Sequence, residues 1–212
     1  MDSEIIKRSL SSIILIIVSF YTVIVGSYLF NCFIILILSL SLFEWHNMSF
    51  KKKYYYPGMI FLLLSFYSVY MIRNDEAKIF EFLIILIICI LTDIGGFIFG
   101  KFFKGPKLTK ISPNKTYSGL VGSFILPILI ISLFITFYKD KFNLEVILNL
   151  NFIIYICIIS FISQCGDLII SYFKRLSDLK DTGKIIPGHG GVLDRIDGMI
   201  FVFPIVKFWS LI

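Results

Sequence analysis

Residues 79–103 read IFEFLIILIICILTDIGGFIFGKFF. An α-helix needs about 20 mostly apolar residues to cross the hydrocarbon core of a bilayer, and this stretch supplies them. It predicts a transmembrane helix. Near its far end the run carries Asp93, followed by Gly95, Gly96 and Gly100. A carboxylate within a span costs about 2.5–3.5 kcal/mol on insertion scales, so Asp93 is either paired or functional.

Outward from that stretch, the chain repeats the same apolar blocks. The run Leu10 to Phe43 is too long for one helix and is predicted to turn near Gly26 to Asn31, making two. Further spans are predicted over Pro57 to Ile72, Tyr117 to Tyr138 and Leu148 to Phe173, with a last one from near Leu193 to the C-terminus. The reading is an all-α, polytopic transmembrane helix bundle of about seven spans. No cleavable signal peptide is read, because the first run continues past any small-residue cleavage site.

Composition agrees with lipid as the solvent. The 212 residues are 58% hydrophobic and 16% charged, with a mean hydropathy of +0.90. Soluble domains average about 45–50% apolar and about 25% charged. Cys32, Cys89, Cys157 and Cys165 all lie in apolar runs without metal-ligand spacing, and read as packing residues. The net charge of +6 could suggest nucleic acid, but the basic residues flank the spans, which argues for membrane topology instead. With the N-terminus cytosolic, the inside segments hold 15 of the 20 Lys and Arg residues. These are Lys7, Arg8, Lys51 to Lys53, Lys101, Lys104, Lys107, Lys110, Lys115, Lys174, Arg175, Lys180, Lys184 and Arg195.

Polar residues then concentrate where an all-lipid reading would not put them. Gln164, Asp167, Ser171 and Lys174 fall at steps of three and four, on one face of the sixth predicted helix. An interhelical hydrogen-bonding seam is the alternative use of such a stripe. The stripe leads into SYFKRLSDLKDTGKIIPGHGGVLDRID, residues 171–197. There Gly188, Gly190 and Gly191 permit the close backbone approach that a phosphate-cradling turn requires. Lys174, Arg175, Lys180 and Lys184 add positive charge, although lysines at a membrane surface also serve as interfacial anchors. Asp194 and Asp197, three apart at the start of a helix, are expected to share a face and point at one cation. His189 reads as a backbone-bonding residue of the glycine turn or as a donor to phosphate. His46, beside Glu44 and Trp45, reads as interfacial. A second cluster, KLTKISPNKTYSG over residues 107–119, gathers Ser112, Asn114, Lys115 and Thr116 as donors suited to an anion. The same residues would also serve as a plain helix cap.

At this point the residues resemble a known family. S-x-x-K-R, K-D-x-G, P-x-H-G-G and D-R-x-D across residues 171–197 are similar to the signature of the phosphatidate cytidylyltransferases, the CDP-diacylglycerol synthases. SPNKT and the Asp93-Ile-Gly-Gly stretch look like that family's SPKKT loop and D-x-G-A/G helix. Asn114, Tyr117 and Ser118 depart from the family's usual Lys and Trp-Glu. The resemblance covers about Thr92 to Phe208.

What the resemblance implies is cytidylyl transfer from CTP to phosphatidate, giving CDP-diacylglycerol and pyrophosphate. It implies Mg²⁺, a monovalent cation such as K⁺, a homodimer, and a bacterial-type inner membrane with the site on the cytosolic face. It implies Asp167, Asp194 and Asp197 as metal carboxylates. Lys174, Arg175, Lys180, Asp181, His189 and Arg195 join them as catalytic candidates, and Asp93, Ser112, Asn114, Lys115, Thr116, Ser171, Gly190 and Gly191 are substrate-binding candidates. Residues 1–76 are then N-terminal transmembrane helices and 77–212 a catalytic domain. The competing readings are a CTP-dependent polyprenol kinase, a cytidylyltransferase for another anionic lipid, and a transporter using Asp93 and Asp167 as intramembrane relays.

Overall fold

In hydrocarbon every backbone N–H and C=O must be satisfied within the segment, which leaves this chain helices as its spanning structure. The computed structural model describes residues 16–75, 78–109, 111–138, 149–186 and 190–209. Its helices are α1 (Ile16–Val25), α2 (Ser27–Ser49), α3 (Tyr55–Asn74), α4 (Ile79–Phe103), α5 (Tyr117–Tyr138), α6 (Leu150–Leu176), α7 (Leu193–Ile196) and α8 (Met199–Trp209). Five of these, α2 to α6, are long and apolar enough to cross a membrane, while α1 and α8 are shorter apolar helices.

The first break falls at the expected place. Gly26 has φ +66°, a backbone angle that glycine adopts without steric cost. Arg73 from α3 fills the space where a side chain on Gly26 would sit, and its Nε donates to the Val23 carbonyl at 2.5 Å. A cation on the terminal carbonyls of α1 complements the negative end of that helix.

Between lipid-exposed helices there is little hydrophobic drive, so association rests on close packing and interhelical hydrogen bonds. Helices α4 and α5 meet through glycine. A Cβ on Gly95 would collide with the Gly122 carbonyl, and one on Gly119 would stand 2.7 Å from the Gly96 carbonyl. Thr92 Oγ1 donates to Ser160 Oγ at 3.0 Å, linking α4 to α6. Helix α6 starts on a cap, the Asn149 side chain accepting from Phe152 N at 2.9 Å. One apolar cluster gathers Phe30, Phe82, Ile85, Ile156, Val202 and Phe203. A second gathers Trp45, Leu62, Ile170, Leu193 and Ile200, with Phe173 and Ile196 packed against it.

The glycine contact yields a direct check. Gly122→Val should overpack the α4–α5 seam, lowering stability by about 1–3 kcal/mol. A thermal unfolding midpoint in detergent equal to that of the unmodified protein would show that the two helices do not approach so closely.

One expectation needs correcting. The last apolar segment is not one continuous helix, because α7 ends at Ile196 and α8 begins at Met199. Two contacts explain the interruption. Gly198 packs so tightly on Ser163 of α6 that a Cβ there would collide with Ser163 Oγ, while a Cβ on Gly166 would stand 2.9 Å from the Asp197 carbonyl. Asp197 Oδ1 also accepts from Gly198 N at 2.9 Å, and such local side-chain bonds compete with helical pairing.

Candidate active site

Parts of three loops meet at one end of the bundle: residues 50–54 after α2, 104–109 and 111–116 before α5, and 177–186 with 190–192 after α6. Lys52 Nζ donates to the Leu176 carbonyl at 2.7 Å, and Tyr54 pairs its hydroxyl with Ser177 Oγ at 2.8 Å. The Lys51 to Lys53 run therefore lies beside the end of α6, and Arg175 brings the loop before α5 to the same place by donating to the Ile111 carbonyl. His46 stays structural, its Nδ1 lying 2.9 Å from the Tyr55 hydroxyl among aromatic rings.

The loop before α5 folds back on itself: Leu108 N donates to the Lys115 carbonyl and Tyr117 N to the Pro106 carbonyl. Thr116 Oγ1 accepts from Gly119 N at 3.1 Å, the geometry of a helix N-cap. Thr116 thus takes the capping role. Ser112 forms the turn, donating through its N–H to Thr109 Oγ1 and accepting Lys115 N at its carbonyl. Asn114 is exposed. That turn aims Lys115 into the bundle, where Nζ lies 2.6 Å from Asp167 Oδ2 and 3.1 Å from Gln164 Oε1. The polar stripe on α6 is therefore a real surface, met by the loop before α5. Ser171 Oγ, one turn on, donates to Asp167 Oδ1 at 3.2 Å.

The other end of the stripe meets the 177–192 segment. Lys174, only 10% exposed at its side chain, pairs with Asp194 Oδ1 at 2.7 Å. Asp194 Oδ2 accepts from Thr182 N and Gly191 N at 2.8 and 3.0 Å, with Thr182 Oγ1 at 3.1 Å. Lys174 and the backbone N–H groups of Thr182 and Gly191 thus hold both oxygens of Asp194, which organises the turn. Gly190, at φ +85°, leaves no room for a larger residue, since a Cβ would stand 2.9 Å from Asp194 Oδ2. Asp197 has other company. It is buried, and the charges of Asp167, Asp93 and Asp194 act against its own while Lys174 offsets them. The two carboxylates differ in their bonding: Asp194 secures the turn, and Asp197 lies within electrostatic reach of Asp167, Asp93 and Asp194.

Asp93 opens into a cavity of about 490 Å³ lined mainly by apolar residues of α1, α2 and α4, with Arg195 on the same wall. It lies in the fields of Asp167, Lys115 and Arg195. Arg175 is exposed, donating to the Ile111 and Leu179 carbonyls, so it ties two loops together. Lys180 and Asp181 are exposed at the rim. His189 and Gly188 lie outside the described residues, as does Lys110.

The donor set suits a hard divalent cation, being all carboxylate oxygen. Among the described residues no three His, Cys, Asp or Glu side chains converge on one point. Mg²⁺ usually takes only one or two carboxylates, with water and substrate phosphate completing its shell, so the set fits a cation shared with a phosphate.

Sequence reasoning passed over Glu44. It is 1% exposed on α2 and accepts from Thr182 Oγ1, Val192 N and Leu193 N at 2.8, 2.8 and 2.9 Å. Its one signal was a carboxylate at the end of an apolar run, which reads equally well as a surface residue.

Comparison with known proteins bears on this same region. The model of the cytidylyltransferase family matches residues 54–212. A phosphatidate cytidylyltransferase of Rickettsia felis is 37% identical, over 97% of this chain and 92% of the relative. That of Rickettsia bellii is 38% identical, over 97% and 90%. The Staphylococcus haemolyticus enzyme of that name is 38% identical over 74% of this chain and 61% of its own length. The matched segment contains the Lys115–Asp167 contact, the Lys174–Asp194 pair and the buried Asp197, and with them the chain belongs to the cytidylyltransferase family.

Proposed function

We propose that this protein is a phosphatidate cytidylyltransferase, converting CTP and phosphatidate to CDP-diacylglycerol and pyrophosphate. The observation that carries the proposal is the meeting of Lys115 with Asp167 and Gln164 beside the Asp194-centred turn. It joins the two signature segments in one polar site at the end of an apolar bundle. The relatives that match over most of the chain carry the same name.

The chemistry is a nucleophilic exchange at phosphorus. A phosphatidate phosphate oxygen forms a bond to the α-phosphorus of CTP, and the bond from that phosphorus to the α–β bridging oxygen breaks, releasing pyrophosphate. The acceptor is already anionic near neutral pH, so no general base is required. The obstacle is repulsion between two polyanions, which positioned cations overcome. Lys115 and Lys174 present ammonium groups along α6, and Lys180 adds charge at the rim. Asp167 and Asp197 would hold Mg²⁺, which would supply neutralisation of charge on the triphosphate and on the leaving pyrophosphate. Asp194 keeps the turn and Lys174 in register.

The same proposal places seven crossings in the membrane, with the N-terminus and the site on the cytosolic side. Support comes from five long apolar helices, two shorter ones, and basic loops gathered at one end. A soluble nucleotide and a lipid headgroup then meet at the interface without either leaving its phase. A homodimer belongs to the proposal as well, and chemical crosslinking in native membranes checks it.

Labelled CTP tests the reaction. Purified protein in detergent with Mg²⁺ and phosphatidate should move label from the α-phosphate into lipid, and none from the γ-phosphate. Label arriving from the γ-position would make the protein a lipid kinase. No transfer from either position would remove the assignment.

A further inference from the structure

The family match begins at residue 54, yet the turn that carries the site is held from outside it. Glu44 stands on α2, separated by 138 to 149 positions from the groups it binds. Its Oε1 accepts from Val192 N, and its Oε2 from Leu193 N and Thr182 Oγ1. Thr182 in turn donates its N–H to Asp194 Oδ2, while its single hydroxyl proton serves Glu44 at the shorter distance, and Asp194 Oδ1 holds Lys174. A continuous chain of hydrogen bonds thus runs from Glu44 to an ammonium group on α6. The packing is as tight as the bonding: a Cβ on Gly191 would collide with Thr182 Oγ1 and the Glu44 carboxylate, and one on Gly183 would stand 2.7 Å from Glu44 Oε1.

We propose that Glu44 is a positioning residue for the transfer reaction, setting the turn that aligns Asp194 with Lys174. The inference rests on the cytidylyltransferase reading above. A carboxylate is required because all three groups facing it are donors. An amide could not replace it, since whichever way a glutamine side chain is turned, its NH₂ faces a backbone N–H of Val192 or Leu193.

The test compares turnover with fold. Glu44→Gln, with Thr182→Val as a second variant of near-equal shape, is purified beside the unmodified protein. Each is assayed for kcat and for KM of CTP, with thermal midpoints measured in the same detergent. The expected result is a kcat at least tenfold lower per folded molecule in Glu44→Gln, together with a lowered midpoint, because the amide leaves a buried backbone N–H without an acceptor. Thr182→Val should show a similar fall, and combining the two should add little, since they break one chain of contacts. Unchanged kcat per folded molecule in either variant, or losses that multiply, would overturn the proposal. If Glu44→Gln fails to fold, Thr182→Val reads the same contact, and failure of both assigns the contact to stability and overturns the positioning role. An inactive unmodified protein would sink the functional reading itself, whereas an active one with indifferent variants sinks only this inference.

Discussion

Replacing Asp197 with asparagine should abolish cytidylyl transfer, by roughly 10²–10³-fold or more, while leaving the protein as stable as before or more so. The two halves of this result have one cause. Asp197 is buried, and three other carboxylates, Asp167, Asp93 and Asp194, act against its charge with Lys174 as the offset. Asparagine removes a buried carboxylate from a site shared with three others. It keeps the acceptor oxygen for Gly198 N, so the break between α7 and α8 survives. The measurement is turnover beside a thermal midpoint in detergent. A falling midpoint with turnover intact would make Asp197 a structural residue and leave the proposed cation site without its most buried ligand.

The second large effect concerns Lys115. Lys115→Met should reduce turnover by about 10²-fold, because it removes a positioned cation from the place where two polyanions must meet. It also strips Asp167 of a partner at 2.6 Å. Both side chains of that pair are partly exposed, at 19% and 26%, so solvent limits the cost to the fold. The loss should therefore appear in kcat more than in protein yield. Lys115→Arg retains the charge but not the compact ammonium, and it should recover only part of the rate. Combining Lys115→Met with Asp167→Asn should cost little more than the worse single change, since the two act on one step. If Lys115→Met matched the unmodified protein, the loop before α5 would be a cap and nothing else, and the meeting of the two signature segments would lose its chemical meaning.

The thermodynamics of the bilayer made much of the fold legible from sequence. Helices α4 and α5 begin and end where their apolar runs do, at Ile79–Phe103 and Tyr117–Tyr138, because a segment in lipid must satisfy its backbone internally. The break at Gly26 was visible for a related reason: a run of that length has to be interrupted, and glycine tolerates the angle. The α6 stripe was visible because helical periodicity places Gln164, Asp167, Ser171 and Lys174 on one face whatever surrounds them.

Partnerships were not legible. Lys174 and Asp194 are 20 positions apart and Glu44 and Leu193 are 149 apart; no local period connects such pairs. Asp194 and Asp197 looked alike, being carboxylates three apart at the start of a predicted helix. Packing separated them by supplying Asp194 with Lys174 and two backbone N–H donors and by burying Asp197 within electrostatic reach of the other carboxylates. Thr116 and Lys115, neighbours in one motif, were divided into a cap and a site residue by the direction in which the turn points each of them. The chain's own order thus determined which segments enter lipid, and which residue types gather at one end, because apolar length and helical period are properties of neighbouring residues. Only the tertiary structure decided which charge answers which, because that depends on helices brought together across the bundle by glycine contacts and a buried glutamate.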